Sequence, residues 1–180
     1  MTWKSNANRY GRVAVLIHWV SAFAIFGLLA SGLYLEDLAD DARKTSILRV
    51  HTIMGVLILF LTLVRIGWWA FADRRPAHPA GMPRWQEISA AAVHGLLYLI
   101  ILVMAASGMA MIALSGAGDI LFAGAAGPLP DFRDYLPRAP HGIGARLLMA
   151  LIAAHVGAAL YHQFALRDGL LSRIGLRRAG

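Results

Sequence analysis

Three histidines lie in the segment 141–162, whose other residues are mostly apolar. His141 and His155 are 14 residues apart. Fourteen steps of about 100° end about 40° short of whole turns, so both side chains lie on one face of a helix. A rise of about 1.5 Å per residue separates them by about 21 Å along that helix. Because ionisable side chains inside membrane helices are rare and mostly functional, this spacing favours ligands of two stacked metal cofactors over hydrogen-bonded core histidines.

The composition is that of an integral membrane protein. The 180 residues are 58% hydrophobic and 15% charged, and the mean hydropathy is +0.59. These values predict a single membrane domain over 1–180. The formal net charge is +7, but the basic residues flank apolar runs, so the lipid bilayer accounts for them and nucleic acid is excluded as a partner. Cysteine is absent, which excludes iron–sulfur clusters and haem attached through thioether bonds.

Four apolar runs predict four transmembrane helices in an all-α bundle. The helices are expected at about 13–35, 47–71, 88–114 and 141–166. Arg49 and Arg65 interrupt the second run, but arginines near helix ends reach the lipid headgroups, so this helix is still expected to cross. Both termini and the loop 73–87 are basic, while the loop 36–46 is acidic. This charge bias predicts that both termini lie in the cytoplasm.

With this orientation, four histidines can be matched by their depth in the membrane. His51 and His141 fall near the outer side, and His18 and His155 near the cytoplasmic side. Each pair joins two helices of a four-helix bundle, where cofactor sites are usually built. Two facing imidazoles in an apolar sleeve without thiols indicate bis-histidine b-type haem, so the chain is predicted to hold two haems. Zinc would favour further ligands or an open water position, and copper would more often recruit Met or Cys.

Four sequence motifs carry a family resemblance. They are RYGRVAVLIHW at 9–19, RVHTIMG at 49–55, HGLLY at 94–98, and HGIGARLLMALIAAHVGAALYH at 141–162 followed by RDGLL. Their order along essentially the whole chain resembles the prokaryotic cytochrome b561 family, small four-helix dihaem cytochromes of the bacterial inner membrane. The resemblance implies two haem b groups with axial ligands His18, His51, His141 and His155. Pro140 departs from the family, since an aromatic residue is expected before His141.

The resemblance also implies a reaction. The family exchanges electrons with ubiquinone, and some members resemble superoxide oxidases, which take electrons from superoxide outside the membrane and reduce ubiquinone within it. We therefore expect a superoxide:ubiquinone oxidoreductase. One alternative is a non-catalytic electron-transfer subunit that serves a separate dehydrogenase or redox protein partner. Another is a transporter or structural membrane protein without a cofactor, which would make the matched histidines a coincidence.

Three further histidines lie outside the two matched pairs. His162 follows His155 by seven residues, so it lies on nearly the same face and about 10 Å closer to the cytoplasm. It could hydrogen-bond a quinone carbonyl or carry its proton, because imidazole titrates near neutrality; an interfacial histidine that only contacts headgroups is an equal alternative. His94 could compete with His18 as the inner ligand, although a hydrogen bond within the bundle is the preferred interpretation. His78 lies among loop prolines and is expected at the surface.

Overall fold

The computed structural model describes residues 2–39, 42–79 and 81–175. The α-helices in this part of the chain are α1 (Arg12–Asp37), α2 (Ala42–Gly67), α3 (Arg84–Ser115), α4 (Ala117–Phe122) and α5 (Arg138–Tyr161). No β-strand occurs in the described residues. The segments long and apolar enough to cross a membrane are Arg12–Asp37, Ala42–Ala72, Arg84–Ser115 and Arg138–Leu166. The prediction of an all-α protein with four transmembrane helices is confirmed.

The helices extend beyond the apolar runs that predicted them. α1 ends at Asp37 rather than near residue 35, and α3 begins at Arg84 rather than near residue 88. Charged side chains at helix ends can reach the headgroups while their backbone remains helical, so the apolar run underestimates the length. Two helices also continue through a π-helical turn, α2 at Trp68–Ala72 and α5 at His162–Leu166.

The helices do not all pack closely against one another. The closest backbone packing joins α3 to α5, α1 to α2, and α2 to α3. By contrast, α5 does not pack its backbone closely against α1 or α2 along the described residues. Since directly packed helices have axes about 8–10 Å apart, this arrangement leaves room between α5 and the first two helices. The four histidines matched from the sequence lie on these three helices.

A short helix covers the end of the bundle that holds His51 and His141. Gly116 has a positive φ of 70°, a conformation that glycine adopts without steric cost, and it reverses the chain between α3 and α4. Ala117 and Leu121 of α4 are buried in a small apolar cluster. Arg49 Nε donates a hydrogen bond of 2.5 Å to the Leu121 carbonyl. The contact fixes α4 over the beginning of α2.

The segment before α1 and the segment after α5 meet at the opposite end of the bundle. The Tyr10 amide donates to the Arg173 carbonyl at 3.1 Å, and Arg173 Nε donates to the Asn8 carbonyl at 2.8 Å. The Asp73 carboxylate, just after α2, accepts hydrogen bonds from the amide and hydroxyl of Ser5. The N-terminal segment and the segment after α5 therefore lie on the same side of the membrane.

Candidate functional site

The structure brings His51 of α2 and His141 of α5 together. Their ring centroids are 6.4 Å apart and their planes are inclined at 63°. Both side chains are half-buried. We refer to His51 and His141 as the outer pair, after the side on which the sequence predicts them to lie.

His51 rests against a Ser-Gly dipeptide of α1. Ser31 Oγ lies 2.9 Å from Nδ1 of His51, and a Cβ added to Gly32 would stand 3.5 Å from Cε1 of the same ring. Ser31 donates its one hydroxyl proton to the Leu28 carbonyl at 3.1 Å. The Ser31 oxygen must therefore accept from a protonated Nδ1 of His51. This tautomer leaves the lone pair on Nε2, where a metal can bind.

His141 rests against a second Ser-Gly dipeptide, on α3. Its Nδ1 lies 3.1 Å from both Ser107 Oγ and the Met104 carbonyl. A carbonyl only accepts, so Nδ1 carries the proton and Nε2 again has the free lone pair. Ser107 donates to the Val103 carbonyl at 2.7 Å, which leaves its oxygen free to accept. A Cβ added to Gly108 would stand only 3.2 Å from Cε1 of His141, so this ring is held closely against the helix backbone.

Three imidazoles converge at the other end of the bundle. The ring centroids of His18 and His155, which we call the inner pair, are 6.3 Å apart and their planes are inclined at 66°. His94 of α3 also contacts His155, with a centroid distance of 5.1 Å. The structure thus brings together the predicted inner ligands and also the residue considered as a competitor of His18.

Arg65 lies beside the inner pair. Its Nη2 is 3.3 Å from Nδ1 of His18. Because a guanidinium only donates, Nδ1 of His18 must accept, which places the ring proton on Nε2. Ligation of a metal through Nε2 therefore requires this contact to open. Arg65 Nε is buried and has no hydrogen-bond partner among the described residues. A carboxylate, such as a haem propionate, would satisfy both nitrogens.

The residues present fit a haem iron between each pair. Metal–imidazole bonds are about 2.0–2.1 Å in zinc sites, and each ring adds roughly 1 Å, so a metal between two facing imidazoles separates their centroids by about 6 Å. The described residues contain no cluster of three or more side chains arranged to hold a metal ion alone. Two imidazoles therefore suit a metal that brings its other ligands with it, as the iron of a porphyrin does.

The remaining histidines are placed differently. His162 is buried and its Nδ1 lies 2.5 Å from the Asp168 carboxylate. It lies at the end of the transmembrane segment that also carries His155. His78 is exposed in the loop between α2 and α3, away from regular structure.

Comparison with known proteins agrees with this geometry. The sequence model of the family described as prokaryotic cytochrome b561 matches residues 9–175 of this chain. The chain belongs to the prokaryotic cytochrome b561 family. It is 31% identical to cytochrome b562 of Cereibacter sphaeroides over 170 residues, which cover 92% of this chain and 94% of the relative. It is 26% identical to cytochrome b561 homolog 2 of Escherichia coli, covering 97% of this chain and 95% of that protein.

Membership confirms the resemblance found in the sequence. A member of the prokaryotic cytochrome b561 family is a membrane cytochrome, so the chain is a bacterial membrane protein that transfers electrons. The family also implies that the cofactor is haem b. The bilayer accounts for the large apolar side chains that the four long helices leave exposed, among them Phe23, Phe60 and Leu99.

Sequence reasoning missed several residues that shape the site. The Ser-Gly dipeptides 31–32 and 107–108 both follow an alanine within an apolar helix. Serine and glycine have lower helix propensity than the apolar residues around them, so their repeated occurrence was an available signal. Asp168 was also missed, although it belongs to the RDGLL motif that contributed to the family resemblance.

Proposed function

We propose that this protein binds two haem b groups and transfers electrons from superoxide, on the outer side of the bacterial inner membrane, to ubiquinone in the membrane. The outer haem is held by His51 and His141, and the inner haem by His18 and His155. Both termini lie in the cytoplasm. The meeting of the N-terminal segment with Arg173 supports a common side for both ends.

The observation that carries this proposal is the arrangement of two imidazole pairs that share one helix. α5 supplies His141 to the outer pair and His155 to the inner pair. Fourteen residues of helix separate these two by about 21 Å, which is most of a hydrocarbon core about 30 Å thick. Such a spacing suits the passage of electrons from one side of the membrane towards the other.

The paired histidines also restrict the kind of chemistry. When bound, haem b supplies reversible one-electron transfer. Because two histidines would hold each haem, the haem would supply electron transfer to a donor that does not bind to the iron. Two superoxide anions each give one electron and become dioxygen. One ubiquinone takes both electrons and two protons and becomes ubiquinol.

The protons have a candidate carrier in His162. It follows His155 by seven residues, about 10 Å further along the same helical segment, and its side chain is buried. The two ring nitrogens of an imidazole allow it both to accept and to release a proton. We propose that His162 hydrogen-bonds a carbonyl of ubiquinone and supplies its proton.

Stopped-flow mixing of the haem-loaded protein with superoxide tests this reaction. We expect reduction of the haem spectrum much faster than spontaneous dismutation, followed by reoxidation when ubiquinone is added. The variant His162→Ala should keep both haems and be reoxidised more slowly, by about 100-fold for the loss of an acid–base group. Haems that stay oxidised under superoxide but accept electrons from a redox protein would instead identify an electron-transfer subunit.

A further inference from the structure

We propose that Asp168 is a positioning residue for ubiquinone reduction, which accepts a hydrogen bond from Nδ1–H of His162 and so leaves Nε2 of that imidazole to carry the proton given to ubiquinone. This inference rests on the proposed function, since it concerns the proton supply of the same reaction. It is carried by a carboxylate–imidazole contact that lies outside both histidine pairs.

The contact joins one oxygen of Asp168 to one nitrogen of His162. The Oδ2 to Nδ1 distance is 2.5 Å. The other oxygen, Oδ1, accepts a hydrogen bond of 3.0 Å from the Leu170 amide. Because both oxygens have a partner, the carboxylate cannot rotate freely, and its orientation fixes that of the imidazole.

The local backbone is arranged to produce this contact. The helical segment of α5 ends in a π-helical turn over His162–Leu166. Arg167 then has a φ of 53° and Gly169 a φ of 75°, so the residues on both sides of Asp168 are left-handed. A left-handed conformation is uncommon for a residue other than glycine. The turn directs Asp168 back towards the first residue of the π-helical turn.

The position is otherwise unfavourable for an acidic side chain. Asp168 follows the carboxyl end of a long helical segment, where the helix dipole disfavours negative charge. The hydrogen bonds to His162 and Leu170 offset this cost. A carboxylate that accepts from Nδ1–H leaves Nε2 of His162 to face a substrate, the arrangement that orients the histidine in Ser-His-Asp triads.

Exposure distinguishes the two partners. The Asp168 side chain is 24% exposed, whereas that of His162 is 10% exposed. Tyr161 also lies beside the imidazole, with a ring centroid 6.2 Å from that of His162. In the proposed step, the doubly protonated ring of His162 gives its Nε2 proton to ubiquinone and keeps its Nδ1 proton in the hydrogen bond to Asp168. Water then returns a proton to Nε2 before the next turnover.

Two substitutions at this position separate positioning from folding. In Asp168→Asn, the amide oxygen can still accept from the Leu170 amide, but the NH2 group faces Nδ1 of His162 and favours the opposite tautomer. In Asp168→Glu, the carboxylate is kept. We expect reoxidation of the reduced haems by ubiquinone to slow by about 100-fold in Asp168→Asn and by less than about tenfold in Asp168→Glu, with unchanged haem content in both.

Asp131→Asn is the matched control. Like Asp168, Asp131 accepts a hydrogen bond from the backbone amide two residues further on, that of Arg133 at 3.0 Å, but it lies before α5 in the segment 131–134, which contains no histidine. The reduced haems of Asp131→Asn should be reoxidised by ubiquinone at the wild-type rate. The second measurement is the ¹⁵N NMR spectrum of His162, assigned by its disappearance in His162→Gln. It should show a protonated Nδ1 in the wild type and a protonated Nε2 in Asp168→Asn.

The outcomes separate this inference from the function on which it rests. If ubiquinone does not reoxidise the wild-type haems, the proposed function is wrong and the inference fails with it. If the wild type is reoxidised and Asp168→Asn matches it in both rate and tautomer, Asp168 does not position His162. Equal slowing in Asp168→Glu and Asp168→Asn, without a change of tautomer, would show that Asp168 acts only through the local backbone, by its hydrogen bond to the Leu170 amide.

Discussion

The hydroxyl of Ser31 lies 2.9 Å from Nδ1 of His51 and accepts its proton, since the Ser31 proton is directed to the Leu28 carbonyl. A hydrogen bond of this kind raises the basicity of the opposite nitrogen and fixes the ring, and its loss usually lowers metal affinity about 10- to 100-fold. Ser107 makes the corresponding contact with His141.

The two serines should differ in importance. We expect Ser31→Ala to weaken retention of the outer haem by about 10- to 100-fold. Ser107→Ala should have a smaller effect, because Nδ1 of His141 keeps the Met104 carbonyl as an acceptor. Haem titration of each purified variant measures how tightly the outer haem is retained. Ser46→Ala is the control, since the exposed Ser46 bonds to the Ala42 carbonyl of its own helix. Equal retention in Ser31→Ala and Ser46→Ala would contradict the role of Ser31.

A graded series of glycine substitutions tests how closely the outer imidazoles are held. An added Cβ would stand 3.2 Å from the His141 ring at Gly108 and 3.5 Å from the His51 ring at Gly32, whereas Gly27 has open space. Gly27→Ala should stabilise α1 by about 0.5–1 kcal/mol through helix propensity.

In Gly108→Ala, overpacking of about 1–3 kcal/mol should exceed this gain. Gly32→Ala should fall between the other two variants. Thermal unfolding of the haem-loaded protein gives the stability, and the spectrum of the outer haem reports displacement of its ligand. An outer haem that is equally unperturbed in all three variants would show that Gly108 does not confine His141.

Removal of single histidines should reveal the pairing. We expect His51→Ala and His141→Ala each to lose the outer haem, about one haem per chain. His18→Ala and His155→Ala should each lose the inner haem instead, because bis-histidine ligation needs both rings. Pyridine haemochrome analysis gives the haem content, and redox titration identifies the remaining haem.

His94→Ala distinguishes the two possible partners of His155. It should keep both haems, although its ring is closer to His155 than that of His18 is. Loss of the inner haem from His94→Ala, with retention in His18→Ala, would make His94 the ligand. Loss of the same haem from His18→Ala and His51→Ala would overturn the pairing by depth.

Asp73 predicts a pH dependence at the end of the bundle where the N-terminal segment lies. Burial alone would raise the pKa of Asp73, but hydrogen bonds from Ser5, Arg74 and Trp68 outweigh burial and hold the pKa below its ordinary value of 3.8. A depressed pKa in the folded state means that the carboxylate stabilises the fold above about pH 4, and that this contribution is lost as the pH falls through the folded value.

Hydrogen–deuterium exchange measures this effect locally. At neutral pH, Asp73→Ala should speed exchange of the Ser5 amide by about 10- to 100-fold, the range expected for losing hydrogen bonds to a charged acceptor. The difference from the wild type should shrink as the pH falls below about 4. The Arg133 amide, bonded to Asp131, provides the internal control. If the difference in Ser5 exchange rate between Asp73→Ala and the wild type grew on acidification, the lowered pKa of Asp73 would be contradicted.

The depth of the four paired histidines could be predicted because helix rise and apolar length restrict position along the membrane normal. The structure places His18 beside His155 and His51 beside His141; their role as ligands stays a prediction. The rotation of each helix about its own axis, which decides the neighbour that each face contacts, could not be predicted in the same way. The long helices are apolar on nearly every side, so the hydrophobic pattern does not show which face meets which neighbour. The contact of Ser31 with His51 depends on that rotation.

Asp168 escaped prediction for a different reason. Its approach to His162 depends on a π-helical turn and on the left-handed conformation of Arg167. Helical periodicity predicts neither feature, because it assumes 3.6 residues per turn throughout. The family motif contains Asp168, but a motif alone does not show the partner of a side chain.

The sharing of α5 between both imidazole pairs has a consequence for biogenesis. During synthesis, α1, α2 and α3 emerge with His18, His51 and His94, but neither pair has its second member until the fourth span follows. With the proposed ligands, neither haem can be held by both of its histidines until α5 has been translated. A nascent chain arrested before residue 138 should accumulate free of haem, and the arrival of α5 would act as a checkpoint for the maturation of both sites.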